Sequence, residues 1–289
     1  MRSVLATICG ALSLTAATHA LAQGQPDAID AAVRAAMAET GAKGLALATI
    51  EQGKVRTIRT WGVRNAAGDP LTPDTVMYGA SLTKAVFGYF IVQLAAEKRL
   101  DLDRPVASML PKPLPECGNV DGYGNWGDLA GDNRWRAITP RMVLNHATGF
   151  ANFAFLEPDE RLRIHFAPGS RYGYSGEGIS LLQFGIERGL GLDLGAELQR
   201  RFFEPLRMTR TSLNWREDFA LNLADGWDKQ GKAEPHDKRS RVRAADHDAP
   251  AVPDAAPRCA TRRPAQGVGR AGRRGIRRSA GAGLVQGRP

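Results

Sequence analysis

A chain of 289 residues with 43% apolar side chains is long enough for one large or two small domains and can supply a core. Its formal charge of +9 is unevenly placed: residues 241–289 hold 11 Arg, 3 Asp and neither Lys nor Glu, which leaves the rest of the chain close to neutral. The basic pI is therefore excluded as a guide to what the main body binds, and the 20 aromatic residues confine the core to the chain up to Trp227.

The first 22 residues have the pattern of a secretory signal. Arg2 is the positive start, Val4 to Ala17 the apolar stretch, and Ala20-Leu21-Ala22 a small-x-small cleavage site. That stretch is shorter than the ~20 residues needed to span a bilayer, so cleavage and export to the periplasm or medium are expected, with no stable membrane anchor. After cleavage two cysteines remain, Cys117 and Cys259. Export would permit a disulfide, but Cys259 lies in the Arg-rich tail, and a thiol at Cys117 is the expectation. No Cys/His spacing resembles a metal site.

Residues 27–40 carry Ile29, Val33 and Met37 at helical spacing, and the pattern stops at Gly41. Leu45–Ile50 and Val55–Trp61 are apolar runs around Glu51-Gln52-Gly53-Lys54, which predicts a β-hairpin. After a turn-rich stretch, Ser81 to Lys98 forms the clearest helix. Val86, Phe87, Phe90, Ile91 and Leu94 make it apolar around most of its circumference, so a buried helix is expected. Residues 105–140 are rich in Gly, Pro, Asn and Asp but keep Trp126 and Trp135, which reads as a long structured loop region. Helices are expected at Pro140–His146, Gly178–Gly189 and Leu192–Phe203. This order predicts an α+β protein: an N-terminal helix, a hairpin of an antiparallel sheet, and a helical region. A two-stranded sheet is marginal alone, yet from Lys238 onward the chain is Arg, Ala, Gly and Pro without strand or helix periodicity. Such a segment cannot offset its ordering entropy. The expected organisation is a signal at 1–22, an incomplete domain at 23–235 and a disordered tail at 236–289.

The chemistry starts at Ser81-Leu82-Thr83-Lys84. A Ser and a Lys three apart project from one helix face. Burial would lower the Lys pKa, and a neutral amine can take the Ser proton as attack begins. At a helix start the macrodipole would also favour a developing oxyanion. Such a pair arises by chance about once in a chain this long from ordinary residue frequencies. The alternative is an exposed Lys with a capping Ser. About 90 residues on, Tyr174 precedes an apolar helix, and its phenol could relay a proton to a leaving group. A Tyr packed at a helix start is the commoner role. Leu144-Asn145-His146-Ala147-Thr148-Gly149 reads as a helix end with a Gly cap. His146 could act as a base, although a structural histidine is the commoner case.

Ser81-Leu82-Thr83-Lys84 resembles the nucleophile motif of the serine β-lactamase and penicillin-binding-protein superfamily. Tyr174-Ser175-Gly176 is similar to its Tyr-x-Asn element, and Leu144–Gly149 to its Leu-x-His-x-Ser-Gly landmark. Order and spacing resemble the class C branch, which includes D-amino peptidases, carboxypeptidases and esterases. The resemblance covers roughly residues 27–235. It implies a β-lactamase/transpeptidase-like fold, Ser81 as nucleophile, Lys84 as its base and Tyr174 as proton-shuttle partner. The implied reaction is acyl transfer through an acyl-enzyme on an ester, amide or β-lactam, from a small-molecule or peptide substrate, with no metal and no organic cofactor. Gly176 stands where the family has Asn. The family's late strand with Lys-Thr-Gly or His-x-Gly has no counterpart, Lys229-Gln230-Gly231 being polar and without an evident strand around it. The composition of the tail fits a change of reading frame between about Lys232 and Asp248. Two other functions compete with the hydrolase: a non-catalytic descendant that binds cell-wall peptide, and nucleic-acid binding by the Arg-rich tail. Export and the lack of stacking aromatics argue against the last.

Overall fold

The computed structural model describes residues 25–234. The signal at 1–22, the tail at 236–289 with Cys259, and nearly all of the stretch in which the frame is expected to change lie outside the described residues.

Helix α1 spans Gln25–Thr40 and ends at Gly41, whose φ of +73° is the left-handed conformation that glycine adopts freely. Strands β1 (Gly44–Glu51) and β2 (Lys54–Gly62) pair antiparallel as the apolar runs predict. Their turn has Gln52 at φ +50° and Gly53 at φ +74°, the primed geometry that matches strand twist. One face of the hairpin packs against α1: the Trp61 indole N–H donates to Asp30 at 2.6 Å, and Arg34 pairs with the same carboxylate at 2.7 Å. Those two donors hold the Asp30 carboxyl below its usual range. The opposite face carries Ala46, Ala48, Ile50, Val55 and Ile58, all exposed.

Ser81 lies in a 3-10 turn, Ala80–Leu82, that runs into helix α2, Thr83–Ala96. The expectation of a helix buried all round is corrected here. Phe87, Phe90, Ile91 and Leu94 are fully buried, but Leu82, Tyr89 and Val92 are exposed. Among the described residues the sheets are two-stranded, so no broad sheet covers that second face.

Residues 105–140 form a chain of 3-10 turns and a short ladder of β3 (Asn119–Val120) with β4 (Gly124–Asn125). Trp126 and Trp135 anchor this region in the core. Helix α3 (Pro140–Leu144) starts with Pro in its first turn and with Thr139 Oγ1 accepting the Met142 N–H. It stops two residues short of the expected end. Helix α4 (Gly176–Gly189) is buried continuously from Gly176 to Ile186, with Glu177 and Gln183 buried among its apolar and small residues. The helix expected over Leu192–Phe203 is two pieces, α5 (Leu194–Leu198) and a π-helical turn, Gln199–Phe203. The wider turn lets the consecutive Phe202 and Phe203 both reach the core. These segments share one apolar cluster with α2 and α4.

The last described segment returns to the start of the site. Val76 donates to Asn222 O and accepts from the Ala224 N–H, both at 2.9 Å. Beyond it, β5 (Gly226–Trp227) and β6 (Ala233–Glu234) pair antiparallel around Lys229–Gly231. A minimal hairpin thus surrounds a stretch that reads from sequence as having no strand near it.

Candidate active site

Ser81 sits at the opening of α2, where the aligned peptide dipoles present their positive end. The residue before it, Ala80, has φ +46°, a left-handed conformation in which a Cβ is crowded. This strained link projects the Ser81 side chain outward, and Ser81 is exposed. Lys84 is one turn along the same face, and its ammonium donates to Ser81 Oγ at 2.9 Å. Lys84 is half-buried rather than enclosed. Phe87, Phe90, Ile91 and Leu94 of the same helix are buried in the core.

Tyr174 arrives from the segment leading into α4. Its hydroxyl donates to Ser81 Oγ, also at 2.9 Å. Lys84 Nζ is 5.2 Å from the centre of the Tyr174 ring. The three residues singled out by sequence therefore meet at one oxygen.

Two neighbouring segments hold Tyr174 in place. Ser175 caps α4, its Oγ accepting the Gly178 N–H at 2.9 Å and donating to Ala151 O at 2.8 Å. The Gly176 and Glu177 N–H groups donate to Asn152 O at 2.9 and 3.0 Å, and Glu177 Oε1 accepts the Ala154 N–H at 2.8 Å. His146 lies beside Tyr174 with ring centres 4.4 Å apart. Burial and the charge of Lys84 push its imidazole below the ordinary range, so it is neutral near pH 7.

Gly176 has a steric cause. A Cβ there would sit 2.4 Å from Phe153 Cε1 and 2.9 Å from Asn152 O. The Phe153 ring, stacked on Phe155 at 5.2 Å, fills the space an Asn side chain would need. Phe153 and Ala80 were not evident as site-shaping residues in the sequence. The one signal for Phe153 is the glycine itself, which invites a bulky neighbour. Cys117 is buried away from this chemistry, its thiol 4.0 Å from Pro113 O. Among the described residues no group of three or more His, Cys, Asp or Glu could hold a metal, and no helix is long and apolar enough to cross a membrane.

The family description Beta-lactamase matches residues 29–285. Esterase EstB of Burkholderia gladioli is 27% identical over 201 residues, 62% of this chain and 49% of the esterase. A Beta-lactamase of Escherichia coli is 27% identical over 242 residues, 78% of this chain and 58% of that protein. In fold, the chain is similar to the D-alanine carboxypeptidase AmpC from Burkholderia cenocepacia: TM-score 0.61, 21% identity, 78% of this chain and 60% of that one. The chain spans about half the length of the curated relatives it matches. The fold is β-lactamase/transpeptidase-like, and the chain belongs to the Beta-lactamase family.

Proposed function

We propose that this protein is an exported serine hydrolase that works through a Ser81 acyl-enzyme. The observation that carries the reading is the single oxygen, Ser81 Oγ, held at 2.9 Å by both Lys84 and Tyr174. In this arrangement both partners donate to it, so attack requires one of them to become an acceptor. An unprotonated Lys84 amine or a Tyr174 phenolate takes the hydroxyl proton as Oγ bonds to the acyl carbon. The proton then passes to the leaving group as its bond to that carbon breaks. Water, deprotonated by the same pair, releases the acid and restores Ser81. The chemistry calls for no metal or organic cofactor.

The substrate class best supported is an ester of a small molecule or peptide. Phe153 occupies the space that an amide-bearing side chain would need in place of Gly176, and esterases are among the relatives. The decisive experiment treats the protein with a fluorescent fluorophosphonate and a fluorescent penicillin. Covalent labelling that vanishes in Ser81→Ala supports the hydrolase; no labelling by either probe overturns it.

One observation favours a second reading, a non-catalytic descendant that binds acylated ligands without turnover. Among the described residues the hairpin β1–β2 is a two-stranded sheet with one face exposed, and the sequence holds no Lys-Thr-Gly or His-x-Gly. Translating the gene past codon 232 in the other frames tests the related frame change: a strand-bearing sequence with that motif supports it, and its absence rejects it.

A further inference from the structure

We infer that His146 is a positioning residue that clamps the chain on both sides of Tyr174 and so fixes the phenol on Ser81. The inference rests on the hydrolase reading and adds a residue to it. Three contacts from one residue carry it. The His146 carbonyl accepts the Gly173 N–H at 2.7 Å. Its Nδ1 accepts the Ser175 N–H at 3.2 Å. Its ring lies against the Tyr174 ring at 4.4 Å, tilted by 37°, with Tyr172 edge-on at 5.9 Å. Residues 173, 174 and 175 are thus each held by the same histidine.

The clamp is itself braced. His146 has φ +52°, a left-handed conformation uncommon for a residue with a Cβ, though histidine tolerates it better than most. The turn is fixed by the His146 N–H on Val143 O at 3.0 Å, the Ala147 N–H on Met142 O at 2.7 Å and the Gly169 N–H on Ala147 O at 2.7 Å. Accepting from Ser175 requires Nδ1 without a proton, so the ring must be neutral. Lys84 faces it from α2, and Tyr172 and Tyr174 from the incoming segment. Burial and the Lys84 charge both favour the neutral form. Protonation would turn Nδ1 into a donor opposite a donor and release Ser175.

The test uses the full chain, with two readouts. By NMR on the 15N-labelled wild type, a scalar coupling across the Ser175 N–H to Nδ1 bond is expected, and the Gly173 and Ser175 amides should shift as the imidazole titrates. In fluorophosphonate kinetics, His146→Ala should lose up to about 100-fold in the acylation rate constant, as for a misplacement of about 1 Å, with little change in probe affinity. His146→Asn keeps a short acceptor and tolerates the left-handed backbone, and should recover part of the rate. Wild-type acylation by His146→Ala, or amides indifferent to imidazole titration, overturns the clamp. If wild type is not labelled at Ser81, the hydrolase reading fails by itself, and the NMR coupling alone upholds or rejects the contacts.

Discussion

The hydroxyl of Tyr174 reaches back across 93 residues to donate to Ser81 Oγ at 2.9 Å. Lys84 meets the same oxygen from the next turn of its own helix. One partner is local and guaranteed by helix geometry; the other depends on the whole helical region folding. Replacing Tyr174 by Phe keeps the ring against His146 and removes only the phenol. Acylation should fall by about 100-fold or more, the usual range for one acid–base group, while the melting temperature stays near that of wild type. Lys84→Gln should cost a similar factor. The double variant should be little worse than either single one, because groups that act as a unit are not additive. Stopped-flow labelling of Ser81 measures all three.

Gly176 makes a sharper steric prediction. Gly176→Asn must displace the Phe153 ring, whose Cε1 lies 2.4 Å from the new Cβ. Overpacking of this kind costs about 1–3 kcal/mol, which thermal melting would register. Phe153→Ala with Gly176→Asn opens the space again. Part of the lost stability should return, and labelling by the penicillin probe should rise relative to the fluorophosphonate. A single Gly176→Asn variant as stable as wild type would show that the ring does not hold this position.

Ala80 stores strain next to the nucleophile. Its φ of +46° costs roughly 1–2 kcal/mol relative to glycine, and a glycine would lose about 0.5–1 kcal/mol of that in backbone entropy on folding. Ala80→Gly should therefore leave stability unchanged or raise it by up to about 1 kcal/mol. It should also slow acylation, because the link that aims Ser81 becomes slack. Urea unfolding and labelling kinetics on one preparation separate the two effects.

His146 sets a pH dependence whose sign follows from its environment. Its folded pKa lies below the ordinary imidazole value of 6.5 because burial and Lys84 disfavour the cation. Between the two values the unfolded chain binds more protons, so stability rises with pH there. Acidification from pH 7 should destabilise the protein through and below about pH 6.5, where unfolded imidazoles begin to charge. In His146→Asn that part of the slope should disappear from pH-resolved urea melts.

The legible part of this molecule was the part encoded locally. The hairpin could be read because a short Gly-containing loop, Glu51–Lys54, separates two apolar runs. Ser81 and Lys84 could be paired because three residues is one helical turn. Tyr174 was legible as a candidate proton relay, but only the resemblance tied it to Ser81, since no local spacing links the two. What escaped were properties of backbone angle and close approach. These include the left-handed Ala80 and His146, the two N–H groups His146 accepts, and the Phe153 ring behind Gly176. The exposed side of α2 escaped for another reason: an apolar helix predicts burial only where another segment covers it, and among the described residues Tyr89 and Val92 stay exposed.

That point gives the last prediction. Ile50, Val55 and Ile58 are 68%, 60% and 51% exposed on the open face of the hairpin. Among the described residues this sheet has two strands, so these side chains have little burial to lose. Ile58→Thr and Val55→Thr, both β-branched, should shift stability by no more than about 0.5 kcal/mol each, as for ordinary surface sites, and should reduce aggregation by shrinking an apolar patch beside an open edge. Phe87→Ala, fully buried in α2, should by contrast cost about 3–5 kcal/mol. If the two Thr variants instead lose stability on the scale of a core residue, something covers that face in solution, and the sheet is wider than two strands. Urea unfolding of the three variants side by side decides it.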